Sequence, residues 1–553
     1  MSLARKAFPY TMTEDQTRIL NVIFATHRRR ICSLIEAANG AGKTTCIAVA
    51  AATLATKGER PTIACSTHSQ TSRVIEELRR LQQKYKAVVL GSRDALCSSD
   101  GLKSAKAICA LPKLRFRCPY FPPAADFHPW TMNISEMVSV AAEKEICAYE
   151  TCWNSASQSD IVIVPQAYLL SEYSWKKASR IIDSSMLMID ECHNVLTRSF
   201  EVFDVGIEFI SEAGREVSKL LRSRKKWTKK KLISTVGSIA AIYDAVTAEA
   251  EVAADCSKHA LGYRLSREYI ALKALFEGNY TTLIVGNNSA RGLRDDASDS
   301  FGERLSYFDS TVMMSATPGA VKLYTSLLRE RPLYVERIPS PYRDGQLRVY
   351  IVTDFTTKFT ERKPSDGARL ASLVDIALRG RSDARLGIFF PSYAYMHETA
   401  NCFTKIGYTL IPSNREELTP VVTLSDSEGH LVMLAVQGGK AGEGYEYPGG
   451  LDIVLVVGLA LPVPYPTGLE AMLASSLAFE VSSVYAYHIS QAVQKAVQAV
   501  GRVIRGPRDK GIGVLMDRRF LNRTVLDSMP TWFRDCLKGS GSFGSLAQLI
   551  MER

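Results

Sequence analysis

Short, wholly apolar runs alternate along this chain with helical patterns, as expected for buried parallel strands joined by helices. Ile31, Leu34 and Ile35 begin the series, Pro61 to Cys65 continues it, and Ile161 to Val164, Met186 to Ile189 and Thr311 to Met314 complete a first block. After Gly319 a second α/β block is expected, with strands at Gly387 to Phe390, Val432 to Val436, Asp452 to Val457 and Gly513 to Met516. Two stretches break the rhythm. Ala95 to Trp153 is rich in Cys, Pro and aromatic residues and reads as a small insertion held by something other than a large core. From about Phe200 to Ser300 the pattern is mainly helical (Ile233, Val236, Ile239, Ala240, Ile242, Tyr243), and the polar segment Asn287 to Ser300 reads as a loop leading back to the first block.

The 553 residues exceed what one hydrophobic core serves, so about three or four domains are expected. No apolar run approaches the roughly 20 residues that span a bilayer, and Met1 to Tyr10 lacks the apolar stretch of a secretory signal. An intracellular, cytoplasmic location without membrane attachment is therefore expected. A net charge of +11 favours a polyanionic partner such as nucleic acid. Twelve cysteines inside a cell serve mostly as small core residues, but Cys97, Cys109, Cys118, Cys147 and Cys152 crowd one segment and point to a metal or cluster.

Chemistry concentrates at strand ends. Ile31 to Ile35 runs into Glu36-Ala37-Ala38-Asn39-Gly40-Ala41-Gly42-Lys43-Thr44-Thr45, in which Gly40 and Gly42 permit the tight turn that aims N–H groups at phosphate oxygens. Lys43 supplies charge to the outer phosphates, Thr44 holds Mg²⁺, and the helix starting near Lys43 adds its N-terminal partial charge. Ala37 stands where the common pattern has its first Gly, which requires a negative φ there. Upstream, the amide of Gln16 suits the edge of adenine or is an ordinary surface group. At the end of Met186 to Ile189, Asp190 is expected to orient Mg²⁺ and Glu191 to position or deprotonate the attacking water.

Other strand ends carry hydroxyl, glycine and basic groups. Ser66 to Gln70 is placed to hold a nucleic-acid backbone, and Ser315 and Thr317 to relay the state of the γ-phosphate to the second block. Ser392 and Tyr393 and then Gly438 to Gly444 follow in the second block. Gln498, Arg502 and Arg505 fall at i, i+4 and i+7, so a helix through them gathers all three on one face, either around an anion or as a surface salt-bridge array. The basic run Arg222, Arg224, Lys225, Lys226, Lys229, Lys230 and Lys231 around Trp227 fits phosphates and a stacked base, and equally a solvated helix face.

In their order, Gly40 to Thr44, Asp190-Glu191-Cys192-His193, Ser315-Ala316-Thr317 and Gln498 to Arg505 resemble the motifs of a superfamily 2 helicase. More narrowly, Ser66 to Gln70 with Val74 to Leu78, Gly91-Ser92-Arg93 before Leu96-Cys97, Phe389 to Tyr393 and Val457-Gly458-Leu459 look like the XPD family of iron–sulfur DNA helicases. The resemblance covers nearly the whole chain, and the compact size is similar to that of archaeal members. It implies an α/β protein with two RecA-like P-loop motor domains, the first carrying a small cysteine-rich iron–sulfur insertion and a mainly helical arch insertion. The first motor would comprise residues 1–92, 153–200 and 301–320, the cluster domain 93–152, the arch 201–300 and the second motor 321–553.

The implied activity is ATP-dependent 5′→3′ translocation and unwinding, with ATP and Mg²⁺ as cofactors, single-stranded and forked DNA as substrates, protein partners in repair, and a monomeric state. DNA-dependent translocation without unwinding, or a structural role in a repair or transcription assembly, are the alternatives. Carried over by motif, Gln16, Asn39, Gly40, Ala41, Gly42, Lys43, Thr44, Thr45 and Glu443 would bind the nucleotide. Lys43, Asp190, Glu191, Gln498, Arg502 and Arg505 would serve catalysis, with Thr44 and Asp190 at the Mg²⁺. Cys97, Cys109, Cys118 and Cys147 would ligate a [4Fe–4S] cluster, leaving Cys152 spare; the segment lacks a Cys-x-x-Cys pair, Ala148 replaces the usual Pro, and four thiolates also bind Zn²⁺. Cys192 and Glu446 depart from the family's Ala and Asp.

Overall fold

The computed structural model describes residues 4, 7–81, 84–97, 109, 118, 120–121, 126–198, 201–206, 208–223, 226–236, 239–255, 259–278, 280, 282–285, 289–293, 301–319, 321–328, 330–340, 342, 345–378, 384–403, 409–410, 431–439, 450–461, 484–504 and 509–545. Eighteen strands lie in three sheets among these residues. In chain order they are β1 (Cys32–Glu36), β2 (Thr62–Cys65), β3 (Ala87–Val89), β4 (Ile161–Pro165), β5 (Met186–Asp190), β6 (Glu201–Gly206), β7 (Lys226–Thr228), β8 (Thr282–Val285) and β9 (Ser289–Leu293). They continue with β10 (Ser310–Ser315), β11 (Leu333–Arg337), β12 (Leu347–Val352), β13 (Arg385–Phe390), β14 (Thr409–Leu410), β15 (Leu431–Val436), β16 (Ile453–Val457), β17 (Gly511–Met516) and β18 (Leu537–Gly541).

The first sheet has the order β11-β1-β10-β5-β2-β4-β3, every pairing parallel. The central strands β1, β5 and β10 are buried at every position, so they lack the in-and-out alternation of a half-exposed strand. The register aligns Glu36 with Ser315 and Met314 with Asp190, which brings three chemically loaded strand ends to one edge. Ligands of open α/β sheets bind at that edge.

The second sheet, β14-β15-β13-β16-β17-β12-β18, is likewise all parallel. Both sheets match the expected α/β organisation. One boundary differs: a second motor starting at residue 321 would own β11, yet β11 pairs with β1, Leu34 opposite Val335, and belongs to the first sheet. Its half-exposed edge pattern hid it among the apolar runs.

The segment between β5 and β10 contains four long helices, Glu212–Arg222, Lys229–Val236, Ile239–Asp255 and His259–Glu277, in keeping with its helical pattern. It also contains a four-stranded antiparallel sheet, β6-β9-β8-β7, that the pattern did not announce. A separate apolar cluster around Leu221, Leu272, Leu275 and Phe276 gives this unit its own core.

Candidate functional site

The phosphate loop follows β1 and opens the helix Lys43–Ala55. Gly40 and Gly42 have φ of 82° and 79°, a region costly for side-chain-bearing residues, whereas Ala37 stays outside it. A Cβ at Gly42 would stand 2.4 Å from Gln16 Nε2, so the Gln16 amide lies directly on the loop. Its Oε1 accepts from Thr13 N–H at 2.9 Å, fixing the start of the helix Glu14–Arg29 through a capping box. Lys43 is buried, and its Nζ donates to the carbonyls of Ala37 and Ala38 at 3.0 and 3.1 Å. Thr44 Oγ1 donates to Asp190 Oδ2 at 3.3 Å, which puts the two expected Mg²⁺ groups side by side. Ala41 is buried, and Thr45 lies on the first turn of the same helix.

Asp190 and Glu191 respond oppositely to their surroundings. Burial, then the adjacent Glu191 charge, pushes the Asp190 carboxyl up to about 6 against the pull of Lys43. Burial also acts on Glu191, but Lys43 and hydrogen bonds from His193 and Ser315 overcome it and hold this carboxyl down. A proton taken up by the pair below about pH 6 therefore goes to Asp190, and Glu191 stays ionised. That is the form needed to orient or deprotonate water.

A hydrogen-bonded chain leads from Glu191 to the second motor. Gln498 Nε2 donates to His193 Nε2 at 3.0 Å, so the imidazole hydrogen is on Nδ1, 2.8 Å from Ser315 Oγ. Ser315 donates to Glu191 Oε2 at 3.3 Å and accepts from Thr317 N–H at 3.0 Å. Gln494 Nε2 then donates to the Thr317 carbonyl at 3.0 Å. The second block also grips the strand ends at three further points. Tyr342 OH donates to the Asn39 carbonyl at 2.8 Å, Trp532 Nε1 to the Ala316 carbonyl at 2.9 Å, and Thr531 N–H to Glu36 Oε1 at 3.0 Å.

The expectation of one helix carrying Gln498, Arg502 and Arg505 is corrected. The helix Val484–Val500 ends before either arginine, and Arg502 N–H bonds to the Ala499 carbonyl three residues back, in a tightened turn. Gly501 lies just past the helix, where a Cβ would stand 2.6 Å from Asn39 Nδ2, so the chain comes close against the phosphate loop there. Arg502 thus follows Gly501 in a turn rather than on the helix. Arg505 and Glu443, with the rest of residues 440–449, lie outside the described residues.

Ser66 to Gln70 forms the capped start of the helix His68–Arg80: Gln70 Oε1 accepts from Ser66 and Thr67 N–H, leaving Thr67, His68 and Ser69 exposed. In the basic run, Arg222, Lys230 and Lys231 are exposed, while Lys229 Nζ donates to the Gly278 carbonyl at 2.5 Å; Arg224 and Lys225 lie outside the described residues.

The cysteine segment is partly described. Cys147 precedes the helix Ala148–Ala156, and burial with the nearby Cys109, Glu150 and Cys118 pushes its thiol up to about 11. Cys109 and Cys118 lie near enough to Cys147 to act on its charge, and thiols are the soft donors an iron–sulfur or zinc site uses. Among the described residues, no three His, Cys, Asp or Glu groups are arranged to hold a metal ion. Cys152 is buried in the first core.

Sequence reasoning passed over Gln166, Gln494, Tyr342 and Trp532. Gln166, a polar residue immediately beyond the buried run ending at Pro165, carried the same signal that singled out Ser66.

Two families match this arrangement: DEAD_2 over residues 63–210 and the helicase C-terminal domain over residues 378–536. The chain is built from two RecA-like α/β domains. A solved structure described as an XPD helicase superposes with a TM-score of 0.69 over 96% of this chain and 100% of that one, at 16% identity. Mouse regulator of telomere elongation helicase 1 is 27% identical over 178 residues, 28% of this chain and 15% of that protein. The Dictyostelium discoideum XPD subunit of the general transcription and DNA repair factor IIH is 24% identical over 250 residues, 41% of this chain and 32% of that one. The matches thus span less than a third of each relative's length. No helix among the described residues is long and apolar enough to cross a membrane.

Proposed function

We propose that this protein is an ATP-dependent DNA helicase that moves 5′→3′ along single-stranded DNA and opens forked duplexes, acting as a monomer in DNA repair. The observation that carries the reading is the chain Glu191–Ser315–His193–Gln498, which joins the carboxylates beside the phosphate loop to the second motor. ATP in this cleft meets Lys43, Thr44 and Asp190 on one side and Gln498 and Arg502 on the other. Phosphate oxygens compete for Lys43 with the Ala37 and Ala38 carbonyls. Glu191 orients the attacking water, and loss of the γ-phosphate is felt through Ser315 at Gln498. Cleft closure coupled to two grips on DNA gives directed stepping.

Cys97, Cys109, Cys118 and Cys147 are proposed to hold a [4Fe–4S] cluster, which supplies a rigid cross-link for the insertion that separates strands. Thiol-only donors and the proximity of Cys109 and Cys118 to Cys147 support this reading. The test compares wild type with Lys43→Ala on 5′- and 3′-tailed duplexes, with iron and zinc measured on the same anaerobic preparation. The expected result is ATP-dependent unwinding from the 5′ tail only, at least a hundredfold loss of ATP turnover in Lys43→Ala, and about four irons per chain. ATP turnover retained by Lys43→Ala overturns the cleft as described, and stoichiometric zinc without iron overturns the cluster.

A further inference from the structure

Glu191 has φ of 51°, the left-handed region that a side-chain-bearing residue rarely occupies. It lies immediately past a buried strand, so the strain is held in place by its neighbours. Gln166 is one of them. This residue follows β4, is 1% exposed, and donates from Nε2 to the Asp190 carbonyl at 2.6 Å and the Glu191 carbonyl at 3.3 Å. Two carbonyls facing one amide fix its orientation, since the amide oxygen in that place would repel both.

The same residue touches a third strand end. Gln166 N–H donates to the Cys65 carbonyl at 2.8 Å, and Cys65 closes β2 just before Ser66 to Gln70. In the sheet order β5-β2-β4 the side chain of Gln166 must reach over the end of β2, about 10 Å from one flanking strand to the other. A glutamine is long enough for this, and a serine or asparagine is not.

We propose that Gln166 is the positioning residue that holds Glu191 in its strained, water-directing conformation and ties that conformation to the strand end carrying Ser66 to Gln70. The inference rests on the proposed role of Glu191. A strand of DNA seated on Thr67, His68 and Ser69 shifts the end of β2, and Gln166 passes the shift to the peptide between Asp190 and Glu191. DNA stimulation of ATP turnover then depends on one amide.

The test uses the full chain with Gln166→Met, which keeps length and bulk but removes both donated bonds, and Gln166→Glu, which donates only while its carboxyl is protonated. Gln166→Met is expected to lower the DNA-stimulated kcat for ATP about tenfold, as two lost hydrogen bonds imply, with KM for ATP within twofold and a smaller ratio of DNA-stimulated to basal turnover. Gln166→Glu is expected to resemble wild type most closely at pH 6 and to fall away as pH rises. A kcat within twofold of wild type for folded Gln166→Met, or a KM that rises as kcat falls, overturns the proposal. Should Gln166→Met not fold, an unchanged pH profile in Gln166→Glu overturns it. Glu191→Gln, run in parallel, separates the two readings: retained ATP turnover there defeats the role of Glu191, whereas its loss together with an unaffected Gln166→Met defeats this inference alone.

Discussion

Asp190 and Glu191 are neighbours with opposite electrostatic roles, and the difference sets the pH behaviour of the site. The Asp190 carboxyl, held up to about 6, keeps its proton through a range in which an unfolded aspartate has lost it. By linkage the folded state binds that proton more tightly, so this group's contribution to stability falls as pH rises from about 4 to about 6. Mg²⁺ at the proposed Thr44 and Asp190 site would compete with the same proton. The Mg²⁺ concentration for half-maximal ATP turnover should therefore fall by up to about tenfold per pH unit below 6 and level off above about 7. A Mg²⁺ requirement that stays flat between pH 5 and 7 contradicts the assignment. The placement of Lys43, Asp190 and Glu191 at one sheet edge was readable from sequence because each sits at a fixed offset from a strand it ends or follows. Gln166 carried only the weaker signal of a polar residue beyond a strand, and its partners, carbonyls 24 and 25 positions away, were not legible.

At the scale of elements, legibility followed burial. Strands buried on both faces, such as β1, β5 and β16, gave continuous apolar runs and fell within a residue or two of the expected spans. The antiparallel strands between β5 and β10 are short and polar (Lys226–Thr228, Ser289–Leu293), and β6 pairs with β9 from far along the chain, so neither period nor proximity revealed them. The arginine helix shows the complementary failure. A periodic pattern was extended through Gly501, past the helix end at Val500, where the chain packs close to Asn39. Gly501→Ala tests that contact. Alanine favours helix over glycine by about 1 kcal/mol, so global stability should stay within about that margin. The added methyl meets Asn39 Nδ2 at 2.6 Å and the Val497 carbonyl at 3.3 Å, so the cleft should close less well on nucleotide. A several-fold rise in KM for ATP with an unchanged denaturation midpoint is the expected outcome; an unchanged KM denies that the turn approaches the loop.

For the whole molecule, the two motors meet through a few directed bonds laid on shared apolar packing. Ala38 of the phosphate loop and Ala316 belong to the same buried cluster as Val497, Val500 and Trp532, so part of the first motor's active edge is built into the second motor's core. Trp532 is 1% exposed, stacks edge-on against Tyr342 at 5.8 Å, and donates to the Ala316 carbonyl between Ser315 and Thr317. Tyr342 in turn holds the Asn39 carbonyl, so one aromatic pair from the second block touches both the phosphate loop and the residue beside Ser315. Removing the indole altogether would cost about 3–5 kcal/mol and confuse folding with coupling. Trp532→Phe is more informative because it keeps most of the apolar bulk and removes the N–H, leaving the Ala316 carbonyl unpaired at a cost of about 1–3 kcal/mol. If this bond only stabilises the fold, unfolding in denaturant shifts while ATP turnover by the folded protein does not. If it transmits between motors, basal turnover stays within about threefold while DNA stimulation and strand separation fall together by about tenfold, since Ser315 lies one residue away and contacts Glu191. The second outcome is expected, because Gln494 and Gln498 alone leave the Ala316 segment anchored only on its flanks.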